Sequence, residues 1–273
     1  MFDGANGSGA AIGPELLRGI GAEVLEIGTR PDGKNINRGC GAADTARMRG
    51  EVRRSRAHCG ISLDGDADRV ILCDERGGEF DGDSILALCA LHLFRRRELR
   101  GGKVVLTTMA NLGLARALER RGIGTIEVGV GDRNVTDALA AHGCTLGGEP
   151  SGHVVFRHLA PTGDGLLTAL QTLAAWLGCG GALSRYQGLF ARYPQALRNV
   201  RVERRVPVEA LPAFQRRVRA ARRRLGRDGR VFVRYSGTEP LLRILVEGRR
   251  RQEVRRIADG LACSFAEEAL NTV

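Results

Sequence analysis

The chain has 273 residues, of which 43% are hydrophobic and 4% aromatic, and its formal net charge is +11. This length allows two or three domains with proper cores, and the low aromatic content argues against a base-stacking surface. The positive charge alone is compatible with nucleic-acid binding. Because all basic residues except Lys34 and Lys103 are arginine, we attribute the charge to a general composition bias.

The apolar runs and the cysteines favour a soluble, cytoplasmic protein without membrane contact. The longest apolar stretch, residues 85–94, is far shorter than the roughly 20 residues that a membrane span needs. No signal-peptide pattern opens the chain. The seven cysteines form no Cys-x-x-Cys pair, which favours reduced, buried thiols.

Residues 1–80 are predicted to form a first α/β domain. A glycine-rich turn leads into an amphipathic helix, and the elements expected after it are a strand over 23–27, a helix over 44–56 and strands over 59–63 and 70–73. The segment from Gly7 to Gly13 is close to a dinucleotide-binding motif, but its third glycine is one residue late. We interpret it as a strand-to-helix turn.

Residues 81–187 are predicted to form a second α/β domain, because strand and helix patterns alternate along them. Asp83 is the expected N-cap of a helix that ends near residue 94, and Asp164 is the expected N-cap of a helix that ends near residue 177. The elements expected between them are strands over 104–107, 125–128 and 145–146 and helices over 112–121 and 134–142.

Residues 188–273 follow a strand–helix–strand–strand–helix pattern, which predicts a smaller α+β domain. The arginine-rich segment 216–230 overlaps apolar residues at helical spacing, namely Leu211, Phe214, Val218, Ala221 and Leu225. A solvated helix face explains these arginines better than a nucleic-acid patch, so no nucleic-acid partner is expected. The predicted fold is therefore two α/β domains with mixed sheets, followed by a smaller α+β domain.

The most informative stretch is the acidic loop 64–69, Asp-Gly-Asp-Ala-Asp-Arg, between two strand-like runs. Alternate side chains of an extended segment point the same way, so Asp64, Asp66 and Asp68 are expected to converge. Two unit charges about 4 Å apart repel by roughly 4 kcal/mol at an effective dielectric of about 20, so a cation is needed among them. Since all-oxygen ligands favour magnesium or calcium, the loop predicts a metal site.

Two other interpretations of the acidic loop are weaker. Counted from Asp64, the acidic spacing with Glu75 is that of an EF-hand calcium loop, but Arg69 stands where that loop needs glycine. The flanking segments are strand-like, whereas an EF-hand needs helices. A merely solvated acidic turn is the remaining alternative.

A loop near the C-terminal end of the chain combines donors that suit a phosphate dianion. Residues 235–240 join two strand-like runs and offer two hydroxyl groups and backbone amides freed by a glycine. Arg234 and Arg243 flank the loop, and the planar fork of a guanidinium matches phosphate geometry. We therefore favour phosphate binding over a structural turn here.

Two loops in the second predicted domain carry weaker signals. Residues 147–153 offer the carboxylate of Glu149, the hydroxyl of Ser151 and the imidazole of His153 on a tight loop. This mixture suits sugar hydroxyls, although an ordinary exposed turn has the same composition. Arg133 could bind a phosphate or could simply pair with Asp132 at a helix start.

In their order and spacing, the loops 64–69, 148–153 and 234–240 resemble the metal, sugar and phosphate loops of the α-D-phosphohexomutase superfamily. Residues 31–37 with Cys40-Gly41, and the segments 130–133 and 162–165, resemble the phosphoglucosamine mutases within it. The resemblance covers essentially the whole chain. It corresponds to the second, third and fourth domains of that family, over 1–80, 81–187 and 188–273.

The resemblance implies an enzyme that interconverts glucosamine 6-phosphate and glucosamine 1-phosphate through a phosphoserine and a hexosamine 1,6-bisphosphate intermediate, in cell-wall precursor synthesis. It further implies Mg²⁺ as cofactor and a phosphosugar as the small-molecule partner, and it is compatible with a homodimer. The implied residues are Asp64, Asp66 and Asp68 for the metal, Arg69 and His153 for catalysis, Glu149, Ser151 and Arg133 for the sugar, and Arg234, Ser236, Gly237, Thr238 and Arg243 for the phosphate.

The chain departs from the family pattern in two places. Pro150 stands where phosphoglucosamine mutases usually have a polar residue, which leaves phosphomannomutase or phosphoglucomutase as alternatives. The family's serine loop, Thr-Ala-Ser-His-Asn-Pro, is absent, and only two residues precede the turn that begins at Asp3. We therefore expect a truncated enzyme that is inactive alone, with a non-catalytic phosphosugar-binding protein as the alternative.

Overall fold

The computed structural model describes residues 1–236 and 239–270, without the side chain of Leu270. The chain divides into two compact units, Met1–Ala191 and Arg192–Val273. The strands of the described residues are β1 (Phe2–Asp3), β2 (Glu26–Ile27), β3 (Cys59–Leu63), β4 (Val70–Asp74), β5 (Glu79–Phe80), β6 (Lys103–Thr107), β7 (Gly124–Val128), β8 (Leu146–Gly148), β9 (Val154–Phe156), β10 (Gln195–Arg201), β11 (Gly229–Tyr235) and β12 (Leu241–Gly248). Their α-helices are α1 (Ile12–Gly19), α2 (Ala46–Ser55), α3 (Gly82–Arg95), α4 (Leu112–Glu119), α5 (Asp132–Ala141), α6 (Gly165–Cys179), α7 (Pro212–Leu225) and α8 (Arg251–Leu270).

The first five strands form one mixed sheet in the first unit, in the order β2-β1-β3-β4-β5. β1 pairs in parallel with β2 and β3, whereas β3, β4 and β5 pair antiparallel. Leu63, Val70 and Leu72 are fully buried, because apolar residues occupy both faces of the two central strands β3 and β4. The acidic loop is therefore the turn of a buried, firmly packed hairpin.

The next four strands form a second mixed sheet in the order β7-β6-β8-β9. β6 pairs in parallel with β7 and β8, and β9 closes the sheet antiparallel to β8. One hydrophobic core joins this sheet to the first one, and its fully buried members include Phe80, Ile85, Leu114 and Phe156. The predicted boundaries after residues 80 and 187 stay predictions.

The structure confirms one of the two predicted helix N-caps and corrects the other. The predicted cap at Asp83 is wrong, because Asp81 caps α3 by accepting a hydrogen bond from the backbone N of Ser84 at 3.0 Å. Asp83 is buried in the first turn instead, where its Oδ2 accepts from the backbone N of Asn111 at 2.9 Å. The predicted cap at Asp164 is confirmed, since its Oδ1 accepts from the N of Leu167 at 2.9 Å.

The second unit contains an antiparallel sheet in the order β10-β12-β11, and α7 and α8 share its hydrophobic core. Phe214 of α7 and Phe265 of α8 meet edge to face with ring centroids 5.4 Å apart. On α7, Val218 and Ala221 are buried while the arginines at 216, 217, 219 and 223 are exposed. The predicted amphipathic helix is confirmed.

The predicted fold class, with two mixed sheets followed by an antiparallel one, is confirmed. The sequence missed β5 and β9, which have two and three residues, and placed the start of β10 five residues late, at 200 instead of 195. Such short segments carry too few residues for a periodic pattern. Among the described residues, no helix is long and apolar enough to cross a bilayer.

A buried ion pair in the second unit gives a stability prediction. Glu247 has no exposed surface, and its Oε2 lies 2.6 Å from Nε of Arg230, which is 14% exposed. Replacing Arg230→Met leaves a buried carboxylate without this cation, so we expect a loss of about 3–5 kcal/mol of unfolding free energy. Hydrogen exchange of the β11 and β12 amides measures it.

The matched control is Arg198→Met, which breaks a pair of the same length in the same unit. Nε of Arg198 lies 2.6 Å from Oδ1 of Asp259, but the two side chains are 35% and 58% exposed. Water screens this pair, so the expected loss is only about 0.2–1 kcal/mol. Equal losses for the two variants would contradict the assigned role of Glu247 burial.

Candidate functional site

The three aspartates of the acidic loop converge, as the sequence predicts. The loop closes the hairpin between β3 and β4, and the N of Ala67 donates to the carbonyl of Asp64 at 3.2 Å inside it. One carboxylate oxygen from each of Asp64, Asp66 and Asp68 lies within 4.8 Å of the others. Asp64 is buried, Asp68 is half-buried and Asp66 is exposed. The loop thus presents three oxygen donors at one point that solvent can reach.

Arg69 lies against this acidic cluster. Its Nε is 2.6 Å from Oδ2 of Asp64 and 3.4 Å from Oδ1 of Asp68, and its backbone N donates to Oδ1 of Asp64 at 3.1 Å. Oδ2 of Asp64 is buried and is paired with the Arg69 guanidinium. The carboxylate of Asp66 is exposed and has no such partner in the described part of the chain. This oxygen-only donor set with spare acceptors fits a hard divalent cation such as Mg²⁺.

The pKa values of two aspartates in the cluster shift in opposite directions. Burial raises the pKa of Asp64 above the ordinary value of an aspartate. Burial also acts to raise the pKa of Asp68, but it is outweighed by the hydrogen bond with Asp64 and by the charges of His153 and Arg69, so this pKa is lowered. Opposite shifts are the expected behaviour of two carboxyl groups held close together. A bound cation would favour the ionised form of both carboxyl groups.

His153 reaches the metal loop from the second sheet. Its Nδ1 lies 3.1 Å from Oδ2 of Asp68, and the residue is only 4% exposed. Backbone contacts hold the two loops together: His153 forms a β-bridge with Arg69, and the N of Val70 donates to the carbonyl of Gly152 at 3.1 Å. The structure therefore brings His153, the predicted catalytic imidazole, onto a predicted metal ligand.

Glu149 connects two of the predicted substrate loops. Its Oε1 accepts a hydrogen bond from the backbone N of Gly131 at 2.9 Å, and its Oε2 accepts from Oγ of Ser151 at 3.2 Å. Gly131 has φ of +127°, a conformation that L side chains rarely adopt, so glycine suits this turn. The side chain of Glu149 thus joins residues 147–153 to the segment before α5.

Arg133 stands apart from the other predicted residues of this unit. Its side chain is 90% exposed, and its Nε lies 3.6 Å from Oδ2 of Asp137. Asp132 accepts from the backbone N of Arg133 at 2.7 Å and does not form an ion pair with its guanidinium. The guanidinium is consequently free to turn toward a ligand in solvent.

A cleft of 460 Å³ opens beside the acidic loop. Its lining includes Asp64, Asp66, Arg69 and Ser151, together with part of the segment 36–43. The sequence singled out residues 31–37 only through resemblance and assigned them no contact with the acidic loop. A Cβ on Gly65 would lie 2.7 Å from the Cδ1 of Ile36, which shows how closely the two segments pack.

The predicted phosphate loop belongs to the second unit, and Gly237 and Thr238 lie outside the described residues. Arg234 and Arg243 face each other across β11 and β12. Arg243 forms an ion pair with Glu239, while Ser236 is buried and its Oγ accepts from the N of Glu239 at 3.3 Å. The two arginines are therefore directly opposite each other in the sheet, from where both side chains can reach one ligand.

Arg205 contacts this loop from outside it, and the sequence did not indicate this residue. It donates to the carbonyl of Ser236 at 2.6 Å, and its guanidinium lies 5.8 Å from the ring centroid of Tyr235. Arg205 lies 31 positions from Ser236 in the sequence, so no local pattern could reveal this contact. It adds a third cationic side chain next to the loop.

Comparison with known protein families gives a match along nearly the whole chain. The model of phosphoglucomutase/phosphomannomutase alpha/beta/alpha domain II matches residues 1–78, that of alpha/beta/alpha domain III matches residues 81–193, and that of the C-terminal domain matches residues 197–263. The three matched segments follow one another in the order of their domain names.

Curated relatives of the chain include two bacterial phosphoglucosamine mutases. The protein of Bdellovibrio bacteriovorus is 42% identical over 271 residues, which cover 99% of this chain and 59% of the relative. The protein of Desulfovibrio desulfuricans is 46% identical over 262 residues, covering 96% and 58%. The chain thus spans about three fifths of the length of these relatives.

Solved structures with the same fold come from more distant proteins. A phosphoglucomutase/phosphomannomutase family protein from Burkholderia thailandensis has a TM-score of 0.79 at 22% identity, covering 98% of this chain and 60% of that one. The N-acetylphosphoglucosamine mutase of Aspergillus fumigatus, solved in complex with GlcNAc-6P and magnesium, has a TM-score of 0.76 at 21% identity, covering 98% and 61%. At these identities the similarity shows the fold.

Proposed function

The chain belongs to the phosphoglucomutase/phosphomannomutase family, and from this premise we propose that it forms the metal-binding and sugar-binding part of a phosphoglucosamine mutase. The predicted family is thereby confirmed. The proposed reaction interconverts glucosamine 6-phosphate and glucosamine 1-phosphate through a phosphoserine and a hexosamine 1,6-bisphosphate. Relatives with this name at 42–46% identity support the choice of sugar.

The observation that carries this proposal is the convergence of Asp64, Asp66 and Asp68 at a cleft that also exposes Ser151. Phosphoryl transfer depends mainly on positioning and on neutralising the charge of the transferring group. Mg²⁺ held by the three aspartates would supply that neutralisation. The same cleft offers a hydroxyl within reach of a sugar, so both requirements meet in one place.

The other polar residues of the first unit have distinct roles in the proposed reaction. Arg69 places a permanent positive charge beside the acidic cluster, where it can orient oxygens of the transferring phosphoryl group. Glu149 and Ser151 bind ring hydroxyls, because the carboxylate accepts and the hydroxyl both donates and accepts. The side chain of Arg133 is exposed to solvent and can reach a bound substrate from there.

The second unit is proposed to hold the phosphate that does not react. Arg234 and Arg243 are adjacent across two strands and match the two edges of a phosphate dianion. For this to happen, the phosphate has to replace Glu239 as the partner of Arg243. Such a clamp would accept the phosphate at either end of the sugar.

The proposed phosphoryl donor is a phosphoserine that passes its phosphoryl group to a sugar hydroxyl, and the freed serine then takes the other phosphate from the bisphosphate; its serine loop is not among the 273 residues. The test is a fusion that places the serine-loop segment of the Bdellovibrio bacteriovorus relative before Met1. We expect no formation of glucosamine 1-phosphate from glucosamine 6-phosphate by the chain alone, and turnover by the fusion with Mg²⁺ and the 1,6-bisphosphate. The matched control is the same fusion with alanine in place of the loop serine.

Three outcomes would contradict the proposal in different ways. Turnover by the chain alone would show that the nucleophile lies within these residues. An inactive, folded fusion that still binds Mn²⁺ and the phosphosugar would favour the non-catalytic alternative. Rates on glucosamine, mannose and glucose phosphates compared in the active fusion decide the sugar, and a clear preference for mannose or glucose would overturn the glucosamine assignment.

A further inference from the structure

We propose that Gly163 is a positioning residue for the metal loop, because it leaves the space that the His153 ring needs to hold Asp68. This inference rests on the proposed metal site. A Cβ on Gly163 would lie 2.4 Å from Cε1, 2.5 Å from Nε2 and 2.8 Å from Nδ1 of His153. All three distances are shorter than any ordinary carbon contact, so no larger residue fits while the ring stays in place.

The ring cannot give way without losing its contact with the acidic cluster. The backbone of His153 is held because its carbonyl accepts from the N of Glu149 at 2.9 Å and because it bridges to Arg69. The residue is 4% exposed, so the ring is enclosed. A larger residue at 163 therefore has to rotate the ring, which breaks the 3.1 Å contact between Nδ1 and Oδ2 of Asp68.

The turn that carries Gly163 cannot retreat either. The N of Gly165 donates to the carbonyl of Ala67 at 2.9 Å, and a Cβ on Gly165 would lie 2.7 Å from the carbonyl oxygen of Arg69. Asp164 caps α6, which begins at Gly165 and has Thr168 fully buried. The turn 162–165 is thus fixed to both the metal loop and the core.

Loss of the His153 contact would weaken metal binding at the acidic loop, because Asp68 would lose the side chain that orients it. A group that hydrogen-bonds to a metal ligand orients it, and losing such a partner costs about 10–100-fold in metal affinity. Gly163 has no positive φ, so alanine fits its backbone and the expected effect is purely steric. The segment 162–165, Thr-Gly-Asp-Gly, thus packs against the His153 imidazole and keeps it in contact with Asp68.

The test measures Mn²⁺ binding by calorimetry in the full chain, which separates the inference from activity. We expect Gly163→Ala to raise the Kd for Mn²⁺ by about 10-fold or more. The matched control is Gly50→Ala in α2 of the same unit, where a Cβ meets nothing within 4 Å and the Kd should stay within twofold. A wild-type chain that does not bind Mn²⁺ would instead overturn the proposed metal site itself.

A double-mutant cycle with His153→Ala shows whether Gly163 acts through the ring. Without the ring the clash is gone, so Gly163→Ala should change the Kd by less than twofold in that background. If Gly163→Ala alone fails to fold and the double variant folds, the inference is supported. The inference is overturned if Gly163→Ala alone binds Mn²⁺ with the wild-type Kd, or if it raises the Kd by the same factor in the His153→Ala background. It is also overturned if His153→Ala folds but the double variant does not.

Discussion

Replacing Asp66 by asparagine is expected to raise the Kd for Mg²⁺ or Mn²⁺ by at least about 100-fold, because this removes a proposed metal ligand and loss of a ligand's partner alone already costs about 10–100-fold. The change should leave the fold intact. Asp66 is exposed and its carboxylate has no hydrogen bond or ion pair among the described residues, so the free energy of unfolding should change by less than about 0.5 kcal/mol. Calorimetric titration with Mn²⁺ and thermal unfolding measure the two quantities.

The matched control for this variant is Asp137→Asn, an equal loss of one exposed carboxylate from the same unit. Asp137 lies on α5, where it is 73% exposed and faces Arg133. It should leave the Kd unchanged within twofold. If both variants weakened binding alike, the effect would be one of overall charge, and the acidic cluster would not be the binding site.

Replacing Gly152→Ala is expected to destabilise the first unit by about 4 kcal/mol or more, an exceptional loss for a single methyl group. Gly152 has φ of +92°, which costs about 1–3 kcal/mol for a residue with a side chain. In addition, a Cβ there would lie 2.1 Å from the carbonyl oxygen of Val70, so the backbone of β4 has to move. Hydrogen exchange of the β4 and β9 amides measures the loss.

The control Gly143→Ala separates backbone strain from the steric clash. Gly143 also has positive φ, at +60°, but a Cβ on it meets nothing within 4 Å. The expected cost is therefore only about 1–2 kcal/mol, the strain of a left-handed residue. Similar losses of unfolding free energy at the two positions would contradict the close packing of Gly152 against the carbonyl oxygen of Val70.

The sequence was informative where a local pattern produces the structure. The runs at 59–63 and 70–73 are buried strands because both are rich in apolar residues and carry no charge, and β3 and β4 have nearly the predicted bounds. Asp164 caps α6 because an N-cap needs only its own helix. The carboxylates of Asp64, Asp66 and Asp68 converge as predicted, but they do so in a turn with Ala67 at φ +62° and not in the expected extended segment.

The sequence was wrong or silent where distant contacts decide. Asp81 and Asp83 both lie at the start of α3, and local preference does not distinguish them as caps. Asp81 is the cap, while Asp83 accepts a hydrogen bond from Asn111, 28 positions away. The segment at Ile36 has no strong pattern of its own, yet it packs against Gly65 and lines the cleft. The residues of the phosphate loop were named from the motif, but Arg205 lies too far along the chain to belong to it.

The sequence by itself determined the family, the fold class and the acidic loop, because short-range periodicity and motif spacing are properties of neighbouring residues. Only the tertiary structure decided how that loop is held. The contact of His153 with Asp68 joins residues 85 positions apart, and the close approach of Gly163 to the ring depends on α6 being packed in the core. Such contacts arise when separate sheets and helices bury a common apolar surface, which no local pattern encodes.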